Sequence, residues 1–293
     1  RSFDERAKFI TEAVAVARRV GDKETHARCL FDAAYGAITL WNTDVNLEIA
    51  DEVVALAEEI GNRELMARGR FMRIGLNLIL GEFKTAFDTI EEFVPLAQEL
   101  RLPELLWFAG TLRGMQAVVA GRMDEAEALA TEAFEKGRAH DPANAMVMYS
   151  AQMMGIRREQ GRAAELTGMI KMAVDQFPAI PAYRGTLAFN YGETGELDQA
   201  RPIFESLAQD NFASLPRDGN WPIAMLLLSQ LAAALGDKVR AQTIYDMISP
   251  YANRCVVVGT LVSCYGALGS YTAHLLATME RWDEAEREFQ VAM

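Results

Sequence analysis

Apolar and polar positions recur along the chain with a helical period. In Asp124-Glu-Ala-Glu-Ala-Leu-Ala-Thr-Glu-Ala-Phe-Glu135 the alanine, leucine and phenylalanine side chains share one face and the carboxylates take the other, the pattern of a helix lying on a core. Phe71-Met-Arg-Ile-Gly-Leu-Asn-Leu-Ile-Leu80 and the stretch from Leu105 to Ala120 are apolar around more of their circumference, which marks helices covered on several sides. Read between turn signals, this periodicity predicts helices over 4–20, 23–40, 44–60, 63–80, 82–100, 103–120, 123–139, 142–160, 162–177, 181–194, 196–209, 219–235, 237–249, 266–280 and 282–293. The two kinds alternate, so the first helix of each pair is expected on an inner wall and the amphipathic second helix on an outer wall.

The pairs are joined by one recurring signal. It reads Gly81-Glu-Phe-Lys-Thr-Ala86, Gly121-Arg-Met-Asp-Glu-Ala126, Gly195-Glu-Leu-Asp-Gln-Ala200 and Gly236-Asp-Lys-Val-Arg-Ala241. A glycine suits the position after a helix where the backbone turns left-handed, and the charged residues that follow suit a new helix N-terminus. Sliding the chain by 40 residues carries Trp41 to Gly81, Gly121 and Gly161, and Val20-Gly-Asp-Lys-Glu24 to Ile60-Gly-Asn-Arg-Glu64 and Leu100-Arg-Leu-Pro-Glu104. Later intervals are 34 residues to Gly195, 41 to Gly236 and 44 to Glu280. Equal spacing of this kind is the mark of a helical-repeat array, in which each unit buries its core against its neighbours. Residues 1–293 are therefore read as one solenoid, regular over 1–194 and less regular over 195–293, with insertions near 210–221 and 250–268.

The 293-residue composition agrees, with 51% hydrophobic and 24% charged residues and nine prolines. A net charge of −12 argues against direct nucleic-acid binding, which draws its affinity from clustered lysine and arginine. Three cysteines, Cys29, Cys255 and Cys264, are too few and scattered for a disulfide framework or a zinc site, and point to a reducing compartment. No apolar run is long enough to span a membrane, so neither membrane insertion nor a cofactor is expected and a cytoplasmic location is. The chain starts at Arg1 and stops inside a predicted helix, the expectation for a segment of a longer polypeptide.

The glycine, the charged turn and the alanine five residues later resemble the signature of tetratricopeptide repeats, with about 40 residues per unit here instead of the usual 34. The implied fold is all-α: a right-handed superhelix of antiparallel helical hairpins. Joints such as Ala-Glu-Glu-Ile-Gly-Asn62 resemble the sensor region of large bacterial signalling ATPases, where an ATPase module and a LuxR-type DNA-binding or adenylate/guanylate cyclase domain accompany a helical-repeat array. The order Phe212 to Trp221, Leu235-Gly-Asp237, Ala241, Tyr245, Pro250, Val258-Gly259, Cys264-Tyr-Gly266 and Arg281-Trp-Asp-Glu-Ala285 is similar to the same class. Departures are Glu280 and Trp41 at glycine positions and Leu166 at an alanine position.

In a tetratricopeptide superhelix the positions 3, 6, 10 and 13 residues before each joint face the hollow. They select Arg28, Phe31, Tyr35, Ile38, Arg68, Phe71, Leu78, Phe108, Thr111, Met115, Val118, Met148, Ala151 and Arg158. Either these form a groove for a protein, a peptide or a small ligand, or the superhelix winds tightly and they pack against one another. Arg73 and Arg113 occupy equivalent positions on neighbouring inner helices, with Asn77 and Gln116 about one turn on. Either an anion sits between the two guanidinium groups or each pairs with a glutamate of an adjoining helix.

Met146, Met148, Met153, Met154, Met169 and Met172 cluster mid-array, as an adaptable surface or as gap filling between helices. The β-branched, glycine-spaced run from Tyr251 to Leu268 interrupts the helical pattern, and Gly259, Gly266 and Gly269 allow close backbone approach. His26, His140 and His274 lack ligand partners at metal spacing, and no HExxH, GxSxG, phosphate-loop or GxGxxG motif occurs. The expectation is a non-catalytic binding or sensor segment of a bacterial regulator, with an ATPase or effector domain attached elsewhere. A free-standing scaffold for protein partners and, third, a helical-repeat enzyme are the alternatives.

Overall fold

The computed structural model describes residues 3–35, 38–178, 180–258 and 263–292, with side chains from residue 12 onward. Fifteen α-helices follow one another among these residues: α1 (Phe3–Val20), α2 (Lys23–Tyr35), α3 (Thr43–Glu59), α4 (Arg63–Leu80), α5 (Phe83–Leu100), α6 (Pro103–Val119), α7 (Met123–Arg138) and α8 (Pro142–Glu159), then α9 (Thr167–Gln176), α10 (Pro181–Glu193), α11 (Leu197–Leu207), α12 (Trp221–Ala234), α13 (Lys238–Ile248), α14 (Leu268–Thr278) and α15 (Trp282–Ala292). Helices adjacent in sequence pack on one another, except that α8 meets the 3₁₀ turn before α9 in place of α9 itself, which makes an all-α helical-repeat solenoid.

The joints show why the repeat needs its glycine. At the end of α4, Gly81 turns left-handed at φ +81°, and the Glu82 N–H returns to the Asn77 carbonyl at 2.8 Å, closing the helix end. The same return bond follows Gly121, Gly161, Gly195 and Gly236. Glu280 takes the left-handed conformation too, at φ +63°, although its Cβ disfavours it. Five residues past these joints, Ala86, Ala126, Ala200, Ala241 and Ala285 are buried where the outer helix crosses the inner one. Leu166 fills that position after Gly161, and there the chain makes a 3₁₀ turn over Ala163–Leu166 before α9 begins.

Three expected helices are shorter than predicted. The helix expected over 23–40 is described as far as Tyr35, and Thr39 lies outside it, donating from both its N–H and its hydroxyl to Asn42 Oδ1 at 2.8 and 2.7 Å. The helix expected over 162–177 begins as the 3₁₀ turn. The one expected over 266–280 gives its first residues to a strand, because the second insertion is a β-hairpin: β1 (Cys255–Val258) pairs antiparallel with β2 (Ser263–Ala267). Its run of valines favours the strand over a helical turn. The first insertion passes through a left-handed run at Asp210, Asn211 and Phe212, which buries Phe212 against Phe204. A Cβ on Gly269 would meet the Ala252 carbonyl oxygen at 3.1 Å, the close approach expected there, whereas Gly266 has open space where a Cβ would stand and serves a left-handed turn at φ +81° instead. Gly259 lies outside the described residues.

The two insertions bring parts of the array far apart in sequence together. The hairpin lies across the inner face, where β1 packs on α4 and α12 and β2 on α6, α8 and α14. Tyr265 Oη and Ser263 Oγ both donate to the Ala151 carbonyl, at 3.3 and 3.5 Å. Trp41, just before α3, stacks edge-on to Trp221 with ring centroids 6.2 Å apart, and Tyr251 completes a three-ring cluster. Beside it Arg254 donates to Asp44 at 2.5 Å. Leu40 and Ile79 thereby belong to the same apolar core as Trp221, Ile223 and Val256.

Candidate functional site

What the hairpin leaves open is a cavity of about 490 Å³ on the inner face. Its floor is α6 and α8, through Trp107, Phe108, Val147, Met148 and Ala151. Its sides are Tyr35, Ile38, Thr39 and Leu40, the end of α4 at Ile79, Gly219 and Asn220 just before α12 with Pro222 in its first turn, and Val257 and Val258 of β1. Polar side chains in its lining include Glu104 of α6 and His140, Asp141 and Asn144 around the start of α8, with Thr39 and Asn220.

Each wall has a local cause. Trp107 is 3% exposed because its ring lies flat on Gly137 of α7, where a Cβ would meet ring atoms at 2.6 Å. Phe108 stacks on Phe71 with centroids 4.5 Å apart, and Phe71 in turn packs on Phe93, so the floor is braced by the outer helix α5. Asp141 caps α8: its carboxylate accepts from Asn144 N at 3.1 Å and from Asn144 Nδ2 at 2.6 Å. Those bonds hold its carboxyl below the usual carboxylate range. Glu104 accepts from Arg68 Nη2 at 2.7 Å, and Arg68 also donates to Glu64 at 3.0 Å.

The structure sorts the sequence-selected residues into three groups. Tyr35 and Phe108, together with Ile38, Met148 and Ala151, line the cavity. Phe31, Phe71, Thr111, Met115 and Asn77 are buried in the packing below it. Thr111 donates to the Trp107 carbonyl at 3.1 Å, and the Asn77 amide donates to the Arg73 carbonyl at 2.8 Å, so neither faces a ligand. Phe31 stacks on Tyr35 at 5.2 Å and lies under the Arg68 guanidinium at 5.9 Å. Tight winding thus holds for the lower half of the groove.

The third group corrects the anion site. Arg73 and Arg113 do not share an open space: Arg73 Nε stands 3.0 Å from Asp51 Oδ1, and Arg113 Nη2 donates to Glu91 Oε2 at 2.9 Å. Gln116 Oε1 accepts from Arg113 at 2.8 Å. Arg157 repeats the arrangement with Glu127. The reason is register: the outer helix before each inner helix places a carboxylate beside the arginine, and ion pairing consumes the charge that an anion needs. Arg158, also counted to the hollow, donates to Glu193 on α10 at 2.8 Å. The methionines divide as well: Met148 and Met153 are buried, Met154 and Met169 pack against the core, and Met146 and Met172 are exposed.

Trp107, Glu104, Asp141, Asn144 and Val147 are cavity residues that counting from the joints does not select. Trp107 neighbours a counted position, and the glycine that receives its ring is 30 residues away, Gly137. The α12 and β1 residues arrive through the insertions, whose path no periodicity encodes.

No protein-family model matches the chain, and a comparison with curated protein sequences finds no match. Among solved structures, the chain is similar to a Rap protein crystallised in complex with Competence and Sporulation Factor, at 12% identity and a TM-score of 0.65, over 92% of this chain and 74% of that one. A tetratricopeptide repeat protein from Parabacteroides merdae is also similar, at 14% identity and a TM-score of 0.49, over 84% and 93% of the two chains. At such identities the Rap likeness shows the fold, a helical-repeat solenoid. Among the described residues no helix is long and apolar enough to cross a membrane.

Proposed function

We propose that this chain is one continuous, non-catalytic ligand-binding array, the sensor segment of a bacterial signalling or transcriptional regulator, and that its ligand, a peptide or small molecule, occupies the inner-face cavity. The observation that carries the proposal is the cavity itself. A space of about 490 Å³, lined by aromatic and aliphatic side chains with a few polar groups, has the size and character of sites that take drug-sized ligands. The similar Rap protein, solved with Competence and Sporulation Factor, supports the view that a solenoid of this kind can hold an effector. Because the cavity wall draws on α4, α6 and α8 as well as on α12 and β1, a bound ligand would bias how the two ends of the array meet. An attached ATPase or effector domain would read that bias, as the resemblance of the joints to ATPase-linked sensors implies.

The test uses Val147→Trp. Val147 is 51% exposed, so the substitution leaves the core intact while its indole fills the space. A ligand library is screened by thermal shift against both proteins. Compounds or peptides that raise the wild-type Tm and leave V147W unmoved support the site. Hits that stabilise both proteins equally bind elsewhere and overturn the assignment.

A further inference from the structure

The cavity's charge defines what it accepts. Among the described residues, no lysine or arginine side chain lines it, whereas two carboxylates, Glu104 and Asp141, do. Glu104 has an ion-pair partner, but a shared one. Arg68 serves both Glu104 and Glu64, so one guanidinium faces two carboxylates and a negative charge remains in excess. Asp141 accepts from the backbone and side-chain amides of Asn144, which are neutral donors; the α8 N-terminus, worth about half a charge, offsets it in part. On the apolar side, Tyr35, Trp107 and Phe108 present aromatic surface, and ring faces attract cations. Anions are also disfavoured at long range by the net charge of −12.

We infer that the cavity takes an organic cation with an apolar body: the ammonium or guanidinium group sits between Glu104 and Asp141, and the apolar part lies against Trp107, Phe108 and Val147. This rests on the cavity being a ligand site, as proposed above. The cation can be a small amine or the free amino terminus of a short peptide, and both present the same chemistry to the same groups.

Two matched pairs of probes decide the matter by titration calorimetry at neutral pH. Tryptamine and indole-3-propionate share a ring and differ in charge; leucyl-tryptophan amide and its N-acetyl form differ only in the free amine. The cationic member of at least one pair is expected to bind about tenfold tighter, a preference that Asp141→Asn and Glu104→Gln each reduce by about threefold or more. Asparagine keeps the helix cap, so D141N tests charge alone. Binding of the free-amine dipeptide without tryptamine identifies a peptide terminus, and the reverse a small amine; the inference stands in both cases. If both members of each pair bind equally, or the anion binds better, and V147W abolishes that binding, the charge inference fails while the ligand site survives. If no probe binds at millimolar concentration, or V147W leaves binding unchanged, both fall.

Discussion

Gly137→Ala is the sharpest probe of the cavity floor. A Cβ at this position would lie 2.6 Å from Cε2 and Nε1 of Trp107, inside any permitted contact. Trp107 is 3% exposed and packed with Phe108 at 5.2 Å, so the ring can yield only toward the cavity. Overpacking of this kind costs about 1–3 kcal/mol. Alanine regains part of the ~1 kcal/mol by which it outranks glycine in a helix, and less than all of it because position 137 lies in the last turn of α7. The balance is a loss of about 1–2 kcal/mol, which at ~2 cal/mol/K of unfolding entropy per residue lowers Tm by about 2–3 °C. Calorimetry measures the shift, and tryptophan emission should move to longer wavelength as the indole enters the cavity. Trp107→Leu removes the clash, so in that background Gly137→Ala should become neutral or stabilising. A wild-type background in which Gly137→Ala raises Tm, as helix propensity alone dictates, would refute this account of the floor.

Two further outcomes follow from the joints and the ion pairs. Glu280→Gly relieves a left-handed backbone that costs a non-glycine residue about 1–2 kcal/mol, against about 0.4–1 kcal/mol of added freedom in the unfolded chain, so a small gain in stability of about 0.5 kcal/mol is expected by denaturant titration; a loss would show that the Lys238 ion pair outweighs the strain. Hydrogen bonds from Arg113 and Arg157 hold the Glu91 and Glu127 carboxyls below the ordinary value of 4.5, so their contribution is present above that pH and disappears as pH falls through the lower folded values; Tm should therefore be flat from pH 7 to about pH 5 and drop below, less steeply in Glu91→Gln.

The repeats were legible in the sequence because their causes are local. A left-handed residue after a helix and a small residue where two helices cross are demands on single positions, and Gly81 with Ala86 meets them openly. The cavity was only half legible. Tyr35 and Phe108 follow from position within a repeat, since any inner helix turns the same residues inward. Trp107 depends on a partner one helix away, and Asn220 and Val257 depend on where irregular segments travel. Arg73 and Arg113 misled for a related reason: equivalence in the repeat is visible in one helix, but the carboxylates that claim them, Asp51 and Glu91, sit on the preceding helix at a register that only packing reveals.

The contact of Trp41 with Trp221 has a consequence for how the molecule can vary. An open solenoid gains or loses units freely, because every repeat leans only on its neighbours and the two ends never meet. Here Arg254 reaches back 210 residues to Asp44, and the three-ring cluster beside it needs the start of α3 and the start of α12 at one place. Inserting or deleting one hairpin would rotate and lift one end past the other and break that junction. The count of hairpins is therefore part of the structure's specification, as blade number is in a closed propeller, and length variation is confined to turns that do not alter the circuit.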